Sequence, residues 1–351
     1  MKTHAIIPIF LPHSGCPHDC IFCNQKKITA KLLPMDQAAA RAIVEKSLPT
    51  IMGRGIEMVE IAFFGGSFTG MPVAEQIPYL AMAKAYKDQG LVHKIRLSTR
   101  PDYISPEILD LLKSYAVDII ELGVQSFDDE VLRLSNRGHD SASVYRSSAL
   151  IKDFGFELGL QLMIGLPGDT YEKALASAQK AVDIGPAIAR LYPTIIIRDT
   201  GLEALYQSGA YLPLSLDEAV RTAKAMFLIL EAAGIKVIRI GLKSSDNIAD
   251  GKAILGDTFH PAFRQLVDSE VAKESMENQL IALLATSPLS DHAAVTFCSC
   301  KASFSNLIGH QKSNKDYFTK AYPQIVFSYR IDNSLPDHVY TTKGSLIKSK
   351  L

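Results

Sequence analysis

HAIIPIFLPHSGCPHDCIFCNQ, residues 4–25, joins a short β-rich run, His4 to Ile9, to a loop that carries Cys16, Cys20 and Cys23. Gly15, Pro17 and Asp19 in that loop suit a tight turn that points three sulfurs inward. Outward from this stretch the pairing of strand and loop recurs. Further β-rich runs fall at Val59 to Phe64, Lys94 to Thr99, Asp118 to Val124, Glu157 to Ile164, Arg190 to Ile197 and Lys236 to Ile240. Several are apolar on both faces, as strands covered by helices are. Amphipathic segments lie between them at Asp36 to Leu48, Val73 to Asp88, Ser143 to Phe154, Tyr171 to Ile184 and Ser215 to Ala233. Gly155, Gly185-Pro186 and Gly234 stand where such helices stop. The alternation is that of an α/β fold with a parallel sheet, wound open or curled into a barrel.

In either form, function gathers at the C-terminal ends of the strands. Gly65-Gly66-Ser67, Ser98-Thr99-Arg100, Gln125-Ser126 and Gly165-Leu166-Pro167 each follow a strand, so with the cysteine loop they are expected at one mouth. From about residue 241 the alternation fades into α+β character. A helix is expected near Pro261 to Lys273 and β-like runs near Ala293 to Phe297 and Ile325 to Tyr329. The expected organisation is a core over residues 1–240 and a smaller C-terminal extension over 241–351.

At 47% hydrophobic and 21% charged residues the 351-residue chain has the composition of a folded globular protein. Lysine and arginine number 37, as do aspartate and glutamate, so no global positive field advertises a nucleic-acid partner. The apolar run Ala5 to Leu11 lacks the basic flank and cleavage site of a signal peptide, and charged residues interrupt every longer apolar stretch. A cytoplasmic protein with no membrane partner is the expectation. The five cysteines form two tight groups, Cys16/Cys20/Cys23 and Cys298/Cys300. In a reducing compartment such thiols read as metal ligands or redox groups rather than disulfides.

Three thiolates from one short loop serve three irons of a cubane 4Fe-4S cluster and leave the fourth open to an exogenous chelate. The amino and carboxylate groups of S-adenosylmethionine (SAM) can fill that place. The alternative is a structural zinc site with His13 or His18 as fourth ligand. Beside a bound SAM, Phe22 suits an aromatic wall against the adenine. Gly65 and Gly66 would let backbone groups approach the methionyl end. Arg100 and Arg137 are guanidinium candidates for its carboxylate, and Gln125 is placed for a ribose hydroxyl. Ser67, Ser98 and Gln161 complete the candidate cofactor shell, and His139 is either part of it or structural. Cys298 and Cys300 supply only half a cluster site and are expected to be ordinary thiols.

The segments GCPHDCIFCNQ (residues 15–25), FGGSFTG (64–70), ELGVQSF (121–127), RGH (137–139) and GLQLMIGLPGDT (159–170) resemble those of the radical SAM superfamily. Within it they are similar to the radical SAM core of the Elongator catalytic subunit, with HPAFRQLV (260–267) similar to the C-terminal extension of that group. The resemblance implies a partial (β/α)6 TIM-like barrel with a small α+β extension. It also implies reductive cleavage of SAM at a 4Fe-4S cluster on Cys16, Cys20 and Cys23, and hydrogen abstraction by the 5′-deoxyadenosyl radical. The electron would come from a reductant such as flavodoxin or ferredoxin. The Elongator subunit's acetyltransferase domain has no counterpart before Leu351. Oxygen-independent coproporphyrinogen oxidases share the GVQSF, RGH and GLPGDT segments, but carry an acidic residue where Gln161 stands and a different approach to the first cysteine.

Three readings of the substrate follow. RNA, with tRNA as the candidate, is suggested by the Elongator likeness and by Lys301 to Lys320, where four lysines are interspersed with Phe304, Tyr317 and Phe318. The same stretch reads equally as a solvated amphipathic face. A small molecule such as a tetrapyrrole is the second reading, and a non-catalytic iron-sulfur redox protein is the third.

Overall fold

A computed structural model describes residues 3–11, 14–16, 20–24, 35–242, 253–286 and 293–346. Seven parallel strands form one sheet in strictly sequential order, one strand more than the sixfold barrel implied by the resemblance. They are β1 (His4–Leu11), β2 (Met58–Gly65), β3 (Lys94–Thr99), β4 (Ile119–Gln125), β5 (Glu157–Ile164), β6 (Ile188–Pro193) and, after the two-residue β7 (Ile196–Ile197), β8 (Lys236–Ile240). The expected run Arg190 to Ile197 is therefore two strands. Pro193 closes β6, and β7 turns away to pair antiparallel with β9 (Ile254–Leu255). That pairing draws residues beyond 240 onto the barrel, and the chain divides into compact units Met1–Pro261 and Ala262–Leu351, later than the boundary expected at 240.

Helices return the chain between strands, and their starts are written in the sequence. Asp36, Ser105, Asp128, Asp140, Thr170, Thr200 and Ser215 each accept a backbone N–H of the first turn that follows. Such caps satisfy donors a helix end otherwise leaves unpaired. Three short helices, Pro106–Ser114, Asp129–Leu134 and Gly201–Gln207, were not among the expected ones. Two of them span fewer than two turns, too little for the 3.6-residue period to show.

The two faces of the sheet differ. Outward rows such as Ile61, Ile95, Leu97, Leu122, Leu160 and Leu191 are fully buried under the helices. The inward rows are wetter: Phe10, Phe64, Ser98, Gln161, Met163, Tyr192 and Arg239 are all half-buried. Deeper on that face lies a ladder of buried charges. His4 meets Glu60 (3.0 Å), Glu60 meets Arg96 (2.7 Å), Arg96 meets Glu121 (3.0 Å), and Arg190 donates to Glu121 (3.0 Å). The last rung skips β5. Gly159 occupies that level, and a Cβ there would stand 2.8 Å from Cγ of Glu121, so only glycine lets Glu121 reach across to β6. Burying two carboxylates and two guanidiniums is tolerable because each is paired.

In the second unit β10 (Ala293–Ser299) is flanked by β11 (Ile325–Ile331) and β12 (Tyr340–Leu346), beside the helix Phe263–Thr286, which runs well past its expected end at Lys273. Its core contains Met276, Leu280, Phe297 and Phe318, with Phe304, Tyr317 and Phe327 packed against it. The aromatic residues of the 301–320 stretch are thus core and not a stacking platform; Tyr317 also donates to Glu277 and lies under Lys273. Among the described residues no helix is long and apolar enough to cross a membrane.

Candidate active site

The cysteine loop leaves β1 at Leu11 and is clamped by the loop after β2. The N–H of Gly66 donates to the carbonyl of Leu11 (2.8 Å) and that of Ser67 to the carbonyl of Ser14 (2.9 Å). The two backbones touch so closely that a Cβ on Gly66 would lie 2.0 Å from the Ser14 oxygen, and one on Gly15 2.1 Å from the Ser67 oxygen. Gly70 is equally confined, 2.3 Å from the Gly15 oxygen. The glycines after β2 therefore admit the cysteine loop itself, a need that precedes any approach to a ligand.

On its other side the loop is held by Ile21, whose N–H reaches the carbonyl of Ser135 (3.3 Å) and whose carbonyl accepts the N–H of Leu202 (2.7 Å). Phe22 does not stand free beside this contact. It packs with Ile21 against a cluster of Ile196, Leu202 and Tyr211, which fixes the ring while leaving it half-buried.

Cys16, Cys20 and Cys23 are half-buried and in no disulfide, and Cys23 N–H closes a turn onto the carbonyl of Cys20 (2.9 Å). Ser67 Oγ lies 3.7 Å from Cys16 Sγ. Arg137, buried, donates through Nη1 to Cys20 Sγ (3.1 Å) and through Nη2 to the carbonyl of Gly123 (2.6 Å). Gly123 is glycine because Gln125 Nε2 and Arg137 Nη2 would crowd a Cβ at 3.0 and 3.4 Å. Arg100 is buried as well and forked onto Asp102 at 2.9 Å twice, so its charge is balanced within the protein.

Gln125 ends β4 with a left-handed φ of 69° beside a register shift, a conformation costly for a side-chain-bearing residue. The bend turns its amide toward β5, where Gln161 Nε2 donates to Gln125 Oε1 (3.2 Å). Ser98 faces the same lumen. His139, buried, donates its Nε2–H to the carbonyl of Val124 (3.3 Å), which leaves Nδ1 with its lone pair. Burial first, then the nearby Arg137 and Arg100 guanidiniums, push its pKa down to about 3, so the ring is neutral.

Among the described residues Arg100 Nη1, Arg137 Nε and His139 Nδ1 are buried here without a hydrogen-bond partner. Together with three soft thiols beside a cation, they fit a thiolate-held cluster with an anionic chelate next to it. Among the described residues no three His, Cys, Asp or Glu side chains converge as ligands of a single metal ion. His13 and His18, the proposed fourth zinc ligands, lie outside the described residues, as do Pro17 and Asp19. Cys298 and Cys300 are buried in the second unit, and Cys300 donates to Asp337 (3.8 Å). The charge ladder beneath the site was missed in the sequence, although Glu60, Glu121 and Arg190 stand among apolar neighbours in their strands and Arg96 lies between Ile95 and Leu97.

Residues 10–181 match the radical SAM superfamily profile, and residues 186–273 match the Radical_SAM C-terminal domain. Elongator complex protein 3 of Saccharomyces cerevisiae is 27% identical over 263 residues, covering 62% of this chain and 46% of the relative. A tRNA uridine(34) acetyltransferase of Methanocaldococcus infernus is 24% identical over 254 residues, covering 62% and 48%. The chain thus spans about half the length of these curated relatives. The solved structure of archaeal Methanocaldococcus infernus Elp3 superposes with a TM-score of 0.63 at 20% identity, over 78% of this chain and 64% of that one.

Proposed function

The chain belongs to the radical SAM superfamily of enzymes, and we propose that it holds a 4Fe-4S cluster on Cys16, Cys20 and Cys23 with SAM beside it and acts on tRNA. The observation that carries the reading is the loop itself: three thiols within eight residues, Cys20 held by Arg137, next to buried donors that have no partner among the described residues. When bound, the cluster and SAM supply reductive cleavage to a 5′-deoxyadenosyl radical, which takes hydrogen from a substrate.

The protein's part is to hold and orient. Arg137 Nε and Arg100 Nη1 are the donors offered to the SAM carboxylate, and Asp102 keeps Arg100 from adding an unbalanced charge. The neutral His139 offers an acceptor at Nδ1. The Gln125–Gln161 pair, fixed by its mutual hydrogen bond, presents its remaining amide groups for the ribose hydroxyls, with Ser67 and Ser98 alongside. The Phe22 cluster seals one flank of the loop against water.

The tRNA assignment is supported by the relatives' own names and by the likeness of the motifs to the Elongator core. Its test is anaerobic reconstitution with iron and sulfide, then SAM cleavage under dithionite with and without tRNA. Wild type should carry a reducible cluster and form 5′-deoxyadenosine, faster with tRNA, whereas the Cys16/Cys20/Cys23 triple alanine variant should do neither. A zinc-loaded protein that never cleaves SAM would sink the whole reading; cleavage stimulated by a metabolite extract but not by tRNA would sink the RNA part alone.

A further inference from the structure

The charges lining the barrel are almost all committed to one another. Glu60 and Glu121 are each held by Arg96, and Glu121 also by Arg190, so the ladder is balanced before any ligand enters. Among the described residues, one half-buried cation on that face is left over. Arg239 pairs in register with Arg190 across β6 and β8, which puts it on the inward face, and it is half-buried. No ion pair involves it among the described residues. It is also the last inward residue before β8 ends, at the sheet's edge strand, where the half-barrel is open.

On the neighbouring strand, Tyr192 is the corresponding last inward residue of β6. Its hydroxyl oxygen accepts from Arg190 Nη1 (3.3 Å), which directs the O–H proton away from the ladder. Arg239 is level with Arg190, so Tyr192 stands one inward position further along the neighbouring strand, diagonally across from Arg239, at a spacing of about 7–8 Å that long side chains can bridge around one anion. A half-buried guanidinium with nothing to pair with is matched best by a group that offers two anionic oxygens to its fork. The orphaned donors beside the cysteines serve a different group, because they follow β3 and β4, whereas β8 lies three strands from β4 in the sheet.

We propose that Arg239 and Tyr192 form an anion receptor for the substrate, which takes a backbone phosphate of the RNA. The inference rests on the tRNA reading above and adds to it a contact point and a substrate chemistry. The contact is sequence-independent, so it positions the chain while the lumen selects the base.

The test uses the full-length reconstituted protein. Binding of labelled tRNA is followed by fluorescence anisotropy over a KCl series for wild type, Arg239→Gln, Arg239→Lys and Tyr192→Phe, with SAM binding measured by equilibrium dialysis. Arg239→Gln should weaken tRNA binding by roughly tenfold and lower the salt slope by about one. Arg239→Lys should keep the slope and lose only part of the affinity, since it keeps the charge but not the fork. Tyr192→Phe should weaken binding a few-fold with the slope intact. Affinity and slope equal to wild type in Arg239→Gln would overturn the receptor alone, as would a loss of SAM binding in place of tRNA binding. If wild type cleaves SAM but binds no tRNA, the phosphate assignment falls together with the RNA reading.

Discussion

Replacing Gly66 by alanine separates two reasons for a glycine beside the cysteine loop. Gly66 is outside the left-handed region, so alanine adds no backbone strain and the whole effect comes from one methyl group. That carbon would sit 2.0 Å from the Ser14 oxygen and 2.7 Å from the Ser14 nitrogen. Nonbonded heavy atoms pack at about 3.5 Å, so the loop must retreat by roughly 1.5 Å. The retreat breaks the bond from Ser67 N–H to Ser14, worth about 1 kcal/mol, and overpacking adds about 1–3 kcal/mol. A penalty of about 3 kcal/mol confined to the loop lowers the population of its cluster-competent form by roughly a hundredfold. Iron and acid-labile sulfide after anaerobic reconstitution read this directly. Gly53→Ala, whose Cβ has nothing nearer than the Pro49 oxygen at 4.0 Å, is the control and should load fully. Gly66→Ala should lose most of its cluster while keeping the circular dichroism of the folded chain. Full loading with an unchanged melting temperature would refute the clamp. Full loading with lost SAM binding would show instead that the glycine serves the ligand.

Three further outcomes follow from the same geometry. Glu121→Ala leaves Arg96 and Arg190 buried without their shared carboxylate, which costs about 3–5 kcal/mol and roughly 10 °C in melting temperature; a melting point within a degree of wild type would contradict the ladder. Phe22→Leu should keep wild-type SAM affinity if the ring's contacts with Ile196, Leu202 and Tyr211 are its whole role, and a tenfold loss in dialysis would assign it the adenine wall. His139 is held neutral to about pH 3, while the unfolded chain binds that proton below its ordinary value near 6.5, so stability falls as pH drops through 6.5 and stops falling near 3. His139→Gln should remove about one proton from the slope of urea stability against pH across that window; an unchanged slope would mean that the ring titrates normally in the folded protein.

Much of the barrel was legible because each strand is an apolar run bounded by glycine or a capping residue, a local signal that needs no tertiary knowledge. Lys94–Thr99, Glu157–Ile164 and Lys236–Ile240 stand where their composition put them. The short helix Asp129–Leu134 escaped because six residues cannot display a helical period. Phe318 misled for a different reason. An aromatic residue in a polar stretch looks the same in sequence whether it faces a ligand or a core, and only packing tells them apart.

By itself the sequence determined the alternation of strands and helices and the thiol loop at the first strand's end, because spacing and alternation are properties of neighbours along the chain, whereas the strictly sequential strand order is a tertiary fact. Tertiary structure alone decided that Gly15, Gly66 and Gly70 interlock two loops, that Arg137 reaches Cys20, and that Gly159 lets Glu121 join Arg190 across an intervening strand. Those contacts link residues far apart in sequence through ångström-scale clearances, and no local preference encodes a distance across a barrel.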